Sequence, residues 1–516
     1  MSPSTEDSTS ESLSSLPTHP THPSIKALQA SLQGEIVFKP ENEELTEEYK
    51  AAIDRYNKAF IKESSLIIFC HSENDIIASL SYIQKHNLDF TVAGGRHSYY
   101  GASSCDGVII DLGKMRKVSI DKENMKITAQ GGCRAADLET PLQAEGLSVV
   151  MGLASDTGIA GLTLGGGSGP LTGRYGLVID NLLAARVVIA NGIVLNCSKD
   201  ENSDLFWGIR GGGPNFGIVV EFTYRVHKQV DFDYLYEESA GEIRGKANKV
   251  PSGPLVYGPE KTKALLDLVD TMQEVTEQTD GKLRIFLAIT KIPSVPMSGI
   301  HPICIISYDG PEEEARKLTA PLWDLQPVMS AISMKPFANT TKPSGLVDEP
   351  PNHQNFSSTS VFMPHPFDVE IMEKLIQEFD DFHNKHGEAL APSRIIIEMR
   401  SYKVSGAIPA SATALAAREK TVSVTMEAQY DSSQVSHTVM REEIKRMIGP
   451  VKEAVKKQGS GKFTNANLGS GTEKIQDMFG QNYARLREIK RKYGPDFIFN
   501  KWYPIPPAEQ SYSLKL

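Results

Sequence analysis

The chain has 516 residues, 40% of them apolar, and a formal net charge of -10 at neutral pH. That length and apolar content can bury two domain-sized cores, while the acidic balance excludes the basic footprint of a nucleic-acid or anionic-membrane surface and leaves small molecules as expected partners. Five scattered cysteines (Cys70, Cys105, Cys133, Cys197 and Cys304) with no CxxC pair indicate neither a disulfide framework nor a zinc site.

Residues 1–24 are rich in Ser, Thr, Pro and His, contain no apolar leader segment, and read as a disordered tail. No run approaches the ~20 apolar residues of a membrane span, so a cytoplasmic protein is expected. The final Lys515-Leu516 matches part of a peroxisomal tripeptide, but Leu514 does not. The front half then alternates helix and strand. Ser72 and Asp75 form a capping box for a helix through Ile76, Ile77, Leu80 and Ile83, flanked by strands over 66–69 and 90–92. A strand over 108–112 follows, and Val118, Ile120, Met125, Ile127 and Ala129 alternate around a polar turn as a hairpin.

Three glycine clusters interrupt this pattern. The first is Gly94-Gly95-Arg96-His97-Ser98-Tyr99-Tyr100-Gly101-Ala102. Gly94 and Gly95 are free to take positive φ and carry no side chain, so their N–H groups can approach a pyrophosphate and leave His97 standing over the rest of that ligand. This combination points to a flavin tethered through histidine. The second cluster runs from Thr157-Gly158 through Gly161 and Gly165-Gly166-Gly167 to Gly176 and Asp180. The third runs from Trp207-Gly208 through Gly211-Gly212-Gly213 to Gly217-Ile218-Val219. No strand-GxGxxG-helix unit with a following acidic residue is present, which argues against a nicotinamide site. His383 and His386 lack carboxylate or Cys companions, and no metal site is expected.

Near residue 232 the pattern changes. Strands are expected over 283–290, 303–308, 394–399 and 422–429, and a helix over 371–382, where Ile371, Met372, Leu375, Ile376, Phe379 and Phe382 recur at helical spacing. Strands mixed with helices and lacking glycine motifs read as an antiparallel sheet covered by helices on one face.

The three clusters, with Gly480-Gln481-Asn482-Tyr483 to Tyr493-Gly494-Pro495-Asp496 near the end, resemble the berberine-bridge-enzyme branch of the para-cresol methylhydroxylase and vanillyl-alcohol oxidase flavoproteins. The resemblance implies an α+β protein with a discontinuous FAD-binding domain. Its first part is expected over 25–231 and its return over 459–516, around a substrate domain over 232–458, with the catalytic cavity where the two meet. It also places FAD against Ala93, Gly94, Gly95, Arg96, His97, Ser98 and Ser103 of the first cluster. From the second come Ser155, Thr157, Gly158, Gly161 and Gly165; from the third, Gly217, Ile218 and Val219; from the C-terminal return, Asn465 and Asn467.

Departures from the family pattern bear on the reaction. Many members carry a second flavin link through a cysteine where this chain has Ala154, so the link to His97 is expected to be single. Arg96 replaces a usual glycine, and its guanidinium is a candidate to neutralise pyrophosphate in place of the basic residue that is Ala93 here. The tyrosine that serves many members as base is Ala466. The base is then sought among Asp156, Glu398, Tyr402 and Glu427; Asp156 has the alternative of capping a turn, and the two glutamates of being ordinary strand residues. Thr157 is a small residue where oxygen access is set in the family. The expected activity is oxidation of a small organic molecule, of secondary metabolism by preference, with electrons passed to O2 to give H2O2. The alternatives are a redox-neutral cyclase or isomerase and a catalytically silent flavin-binding protein.

Overall fold

The computed structural model describes residues 18–41, 44–229, 249–291, 299–336, 355–390, 393–459 and 466–509. Of the tail expected to be disordered, residues 1–17 lie outside the described residues; at its end His22 caps a helix over Pro23–Ser31, because Ile25 and Leu28 give that segment an apolar pair to bury.

Two sheets build the front half. In the first, β1 (Glu35–Phe38), β2 (Leu66–Phe69), β3 (Phe90–Ala93) and β4 (Val108–Asp111) lie in the order β1-β2-β4-β3, parallel except for β1. The helix Glu73–Lys85, with the Ser72 and Asp75 capping box in place, crosses between β2 and β3. Further along the chain come β5 (Val118–Asp121), β6 (Lys126–Gln130), the short β7 (Leu147–Ser148), β8 (Leu182–Val188), β9 (Val194–Ser198), β10 (Ile218–Arg225) and the short β11 (His227–Lys228). Five of these form an antiparallel sheet in the order β5-β6-β10-β8-β9. Ile68, Val108 and Ile110 of the first sheet share one core with Val188, Ile218 and Val220 of the second.

The middle of the chain supplies β12 (Lys249–Val256), β13 (Leu283–Thr290), β14 (His301–Tyr308), β15 (Met329–Ser330), β16 (Ser333–Pro336), β17 (Asn355–Met363), β18 (Arg394–Met399) and β19 (Val422–Tyr430). They form one antiparallel sheet, β15-β12-β14-β13-β18-β19-β17, with β16 also on β12. Alternation decides its two faces. Ile285, Leu287, Ile397, Val424 and Met426 pack with Met372 and Phe379 of the helix Val369–His386 and with Ile444 and Met447 of the helix His437–Lys457. Residues of the opposite parity face a cavity.

The chain's last part returns to the front half, where Phe479, Leu486, Ile489 and Ile505 share a core with Trp207, Phe216 and Phe222. A loop of the middle region joins them. Trp207 Nε1 donates to the Ser411 carbonyl at 2.8 Å, Leu415 packs with Leu177 and Ile179, and Arg418 bonds Asp180 at 2.7 and 2.9 Å. Chain position places this loop in the expected substrate domain, but its buried Ala414 and Leu415 pack on the front half.

Candidate active site

A cavity of about 490 Å³ lies between the glycine segments and the free face of the middle sheet, within the range usual for small-molecule sites. Its glycine wall depends on close backbone approach. A Cβ on Gly95 would stand 2.2 Å from Gly158 Cα, and one on Gly158 would stand 2.4 Å from Gly95 N, so the first two clusters touch where neither tolerates a side chain. The expected positive φ falls on neither Gly94 nor Gly95; the next residue, Arg96, takes it instead, with φ 58°.

Arg96 does not offer its guanidinium to a phosphate as expected. Nε and Nη2 each lie 2.8 Å from Asp111 Oδ2, and Nη1 donates to the Ala51 carbonyl at 2.9 Å. Asp111 is fully buried. Burial raises its carboxyl pKa, and Arg96 works against that rise, so the guanidinium is committed to this buried carboxyl group.

His97 lines the cavity beside the glycine wall, stacked on Tyr56 with ring centroids 3.7 Å apart and planes at 18°. Tyr56 is fixed there by its N–H, which donates to the Arg96 carbonyl at 3.1 Å. His97 Nε2 lies 3.4 Å from Asp156 Oδ1, an ion-pair distance without hydrogen-bond alignment, and both atoms are otherwise unpartnered among the described residues. His97 holds the Asp156 carboxyl below its usual range. Asp156 is absent from the cavity lining and addresses the imidazole instead.

Gly94, Gly95, Ser98, Ser103, Thr157, Gly158, Gly161, Gly217, Ile218, Val219 and Asn467 line the cavity with Arg96 and His97. Ala93 is buried in β3, and Ser155 and Gly165 lie outside the lining. Gly165 is nonetheless constrained, because its Cβ would meet Asn467 Oδ1 at 2.0 Å, while Asn467 Nδ2 donates to the Leu162 carbonyl at 2.8 Å. Asn465 falls outside the described residues. The buried Ser103 hydroxyl has no partner among them, an orphan that a phosphate oxygen would satisfy. This donor and the side-chain-free glycine cradle fit a dinucleotide.

The facing wall carries Glu398 and Glu427. Glu427 is bonded by Arg394 Nε at 2.7 Å, whereas Glu398 Oε1 stands 3.6 Å from Arg400 Nη1. Tyr402 does not line this cavity. β18 ends at Met399, and Glu277 holds the next turn through the N–H groups of Tyr402 and Lys403, which places the Tyr402 hydroxyl 3.3 Å from Thr421 Oγ1. Ala466 is buried, and its carbonyl accepts from Tyr100 Oη at 3.0 Å. All five cysteines are buried thiols away from the lining, whereas Ala154 lies in it. Sequence reasoning missed Tyr56 and the basic residues Arg284, Arg394 and Lys335, which also line the cavity. For Arg284 a signal existed: a lone arginine in the apolar run Leu283-Arg284-Ile285-Phe286-Leu287.

An FAD-binding-domain family model matches residues 64–198, and a berberine and berberine-like model matches residues 466–506. The chain is 41% identical over 498 residues to the FAD-linked oxidoreductase pgmH of Aspergillus terreus, covering 94% of this chain and 96% of that one. The fold is similar to that of 6-hydroxy-D-nicotine oxidase from Arthrobacter nicotinovorans, with TM-score 0.75 and 23% identity over 93% of this chain and 99% of that one. It is also similar to glucooligosaccharide oxidase from Acremonium strictum, which has a 6-S-cysteinyl, 8α-N1-histidyl FAD, with TM-score 0.73 and 20% identity over 94% and 99%. Among the described residues no helix is long and apolar enough to cross a membrane. The glycine cradle, the facing antiparallel sheet and these matches lead to one assignment: the chain belongs to the berberine-bridge-enzyme-like branch of the para-cresol methylhydroxylase and vanillyl-alcohol oxidase superfamily and is an FAD-linked oxidoreductase.

Proposed function

We propose that the protein is an oxidase whose FAD is attached once, through His97, and that it passes two electrons from a small organic substrate to O2, forming H2O2. The observation that carries this reading is the setting of His97. Tyr56 fixes the ring plane beside the cavity and Asp156 stands 3.4 Å from Nε2, so the carboxylate engages that nitrogen and Nδ1 is the one assigned to attachment. The histidyl linkage in the Acremonium strictum oxidase supports the same assignment. Ala154 in the lining, with every cysteine elsewhere, supports a single link, and Thr157 keeps a small side chain at the same wall.

Bound FAD supplies a two-electron acceptor that O2 can reoxidise. The protein's own part is to hold the substrate against the sheet and to take its proton. Glu398 suits the second role, because it lines the cavity and is not held in a close pair as Glu427 is by Arg394. Ala466, which cannot accept a proton at its side chain, favours a second reading in which the substrate is cyclised or isomerised without net oxidation.

Acid-precipitated protein should stay yellow and give a fluorescent band on a denaturing gel, and His97→Ala should release the flavin. A colourless pellet with free FAD in the supernatant would show the tether to be wrong. H2O2 formed in step with substrate consumption supports the oxidase; product without H2O2 supports the redox-neutral reading.

A further inference from the structure

The sheet wall of the cavity holds a buried cation whose hydrogen-bonding capacity is unfilled among the described residues. Arg284 on β13 pairs in register with Ser307 on β14, and Ser307 with Ser252 on β12, so the three stand in one row across adjacent strands, and all line the cavity. Arg284 is only 7% exposed, yet its Nε and Nη1 have no hydrogen-bond partner among the described residues. A buried guanidinium in that state is expensive unless a ligand completes it.

The carboxylates within reach are engaged or opposed. Glu427 is bonded by Arg394, and Glu398 lies 3.6 Å from Arg400 Nη1. At Arg284 the attraction of Glu398 is set against the like charge of Arg400, and burial lowers the guanidinium to about 10, which leaves it cationic at neutral pH. Lys335 adds a further cation to the same lining. Arg284, Arg394 and Lys335 therefore line the cavity with two carboxylates, Glu398 and Glu427, and the wall is positive. Beside the row it is apolar: Phe286, whose ring centroid is 5.1 Å from Arg284 Cζ, then Ala288, Ile305 and Ile396.

We propose that Arg284, flanked by Ser252 and Ser307, binds an acidic oxygen of the substrate, a carboxylate or ionised phenol carried on an apolar ring. The guanidinium takes the oxyanion, the serine hydroxyls offer further donors, and the apolar wall takes the ring. This assignment rests on the reading of the cavity as the oxidase's substrate site and narrows its substrate class.

The test uses the flavin-loaded protein and two pairs of probes alike in shape but not in charge: benzoate against benzamide, and 4-nitrophenolate against 4-nitroanisole. Binding is followed by calorimetry and by perturbation of the visible flavin band. Wild type should bind at least one anion about tenfold more tightly than its neutral partner, as expected for a charge-assisted bond in a dry site. Arg284→Met should erase that preference, and Arg284→Lys should retain part of it. The arm that responds tells carboxylate from phenolate. Flavin content and far-UV circular dichroism check that each variant is folded, and the lysine variant serves if the methionine variant is not. Reactivity of the flavin with sulfite, which reports positive charge at the ring itself, should stay within about threefold of wild type. Equal binding of anion and neutral probe by wild type, or a preference that survives in Arg284→Met, overturns the proposal, as does a loss of sulfite reactivity with the preference unchanged. Calorimetry does not depend on flavin attachment, so anion preference without a gel-fluorescent band would sink the covalent-oxidase reading and leave Arg284's role standing.

Discussion

At Gly95 and Gly158 two backbones meet with no space for a methyl group, and this contact fixes where His97 stands. A Cβ on Gly95 would meet main-chain atoms, which cannot swing aside as a side chain does. Gly95→Ala should therefore destabilise by about 1–3 kcal/mol or more through overpacking and lower the flavin-to-protein absorbance ratio. Gly161→Ala is the control for stability of the flavin-free protein: it lies in the helix Ile159–Leu164 with nothing within 4 Å of its Cβ, and should be neutral or stabilising there by up to about 1 kcal/mol. Equal losses of stability in both would show that the Gly95 contact is unimportant. Asp156 poses the second question at this scale. Because it meets His97 and not the cavity, Asp156→Asn should slow flavin attachment while leaving reduction of already attached flavin within about tenfold; a loss of two to four orders of magnitude would identify it as the base. Its carboxyl pKa is depressed in the fold, so the stabilisation it brings is present above its ordinary value and is lost as pH falls through the lower folded value. Attachment measured on a gel from pH 3 to 7 should fall at the acid end in wild type and stay flat in the asparagine variant.

Among the elements, alternation made the middle strands legible: β13 and β18 begin and end where their apolar parity predicted, and the helix over 371–382 lies inside Val369–His386. The glycine clusters were legible as a cradle, because only glycine permits such approach. That Arg96 rather than Gly94 or Gly95 takes left-handed backbone was not, since Arg96 is held by ties to Asp111 and Ala51 that lie far off in sequence. Tyr402 was misplaced for a related reason, as the turn after β18 is set by Glu277, more than a hundred residues earlier. The C-terminal helix Tyr483–Tyr493 shows a similar long-range device. Lys490 is fully buried, and its Nζ donates to the carbonyls of Asn215 and, at 3.1 Å, Phe499, tying the helix to the segment that leads into Gly217. Burial lowers its pKa to about 8. Between that value and about 10.4 the unfolded chain binds the extra proton, so this residue's contribution to stability rises with pH across the window, by at most about 1.4 kcal/mol per unit. Urea midpoints at pH 7.5 and 9.5 should show wild type gaining on Lys490→Met as pH rises. Parallel profiles would show that the amine titrates normally.

The whole molecule depends on a joint between two bodies, because the cavity has one wall from each. Asp180 comes from the front half and Arg418 from the middle region, and their side chains are 5% and 4% exposed in a two-pronged pair at 2.7 and 2.9 Å. Arg174 and Asp309 pair across the same division. A buried pair of this kind adds little over an apolar substitute, but losing one partner strands the other charge out of water. Asp180→Asn should therefore cost about 3–5 kcal/mol, more than a surface carboxylate change of the same chemistry. The cost should fall on the joint. Flavin fluorescence, which reports the cavity, should change at lower denaturant than far-UV circular dichroism, so that one unfolding transition separates into two. Replacing both partners with apolar residues, Asp180→Leu with Arg418→Met, removes the stranded charge and should recover at least about half of the single variant's loss. If the double variant is as unstable as the sum of its singles, the pair is not what holds the bodies together. The joint must then rest on Leu415 against Leu177 and Ile179, and Leu415→Ala should part the two transitions where Asp180→Asn did not.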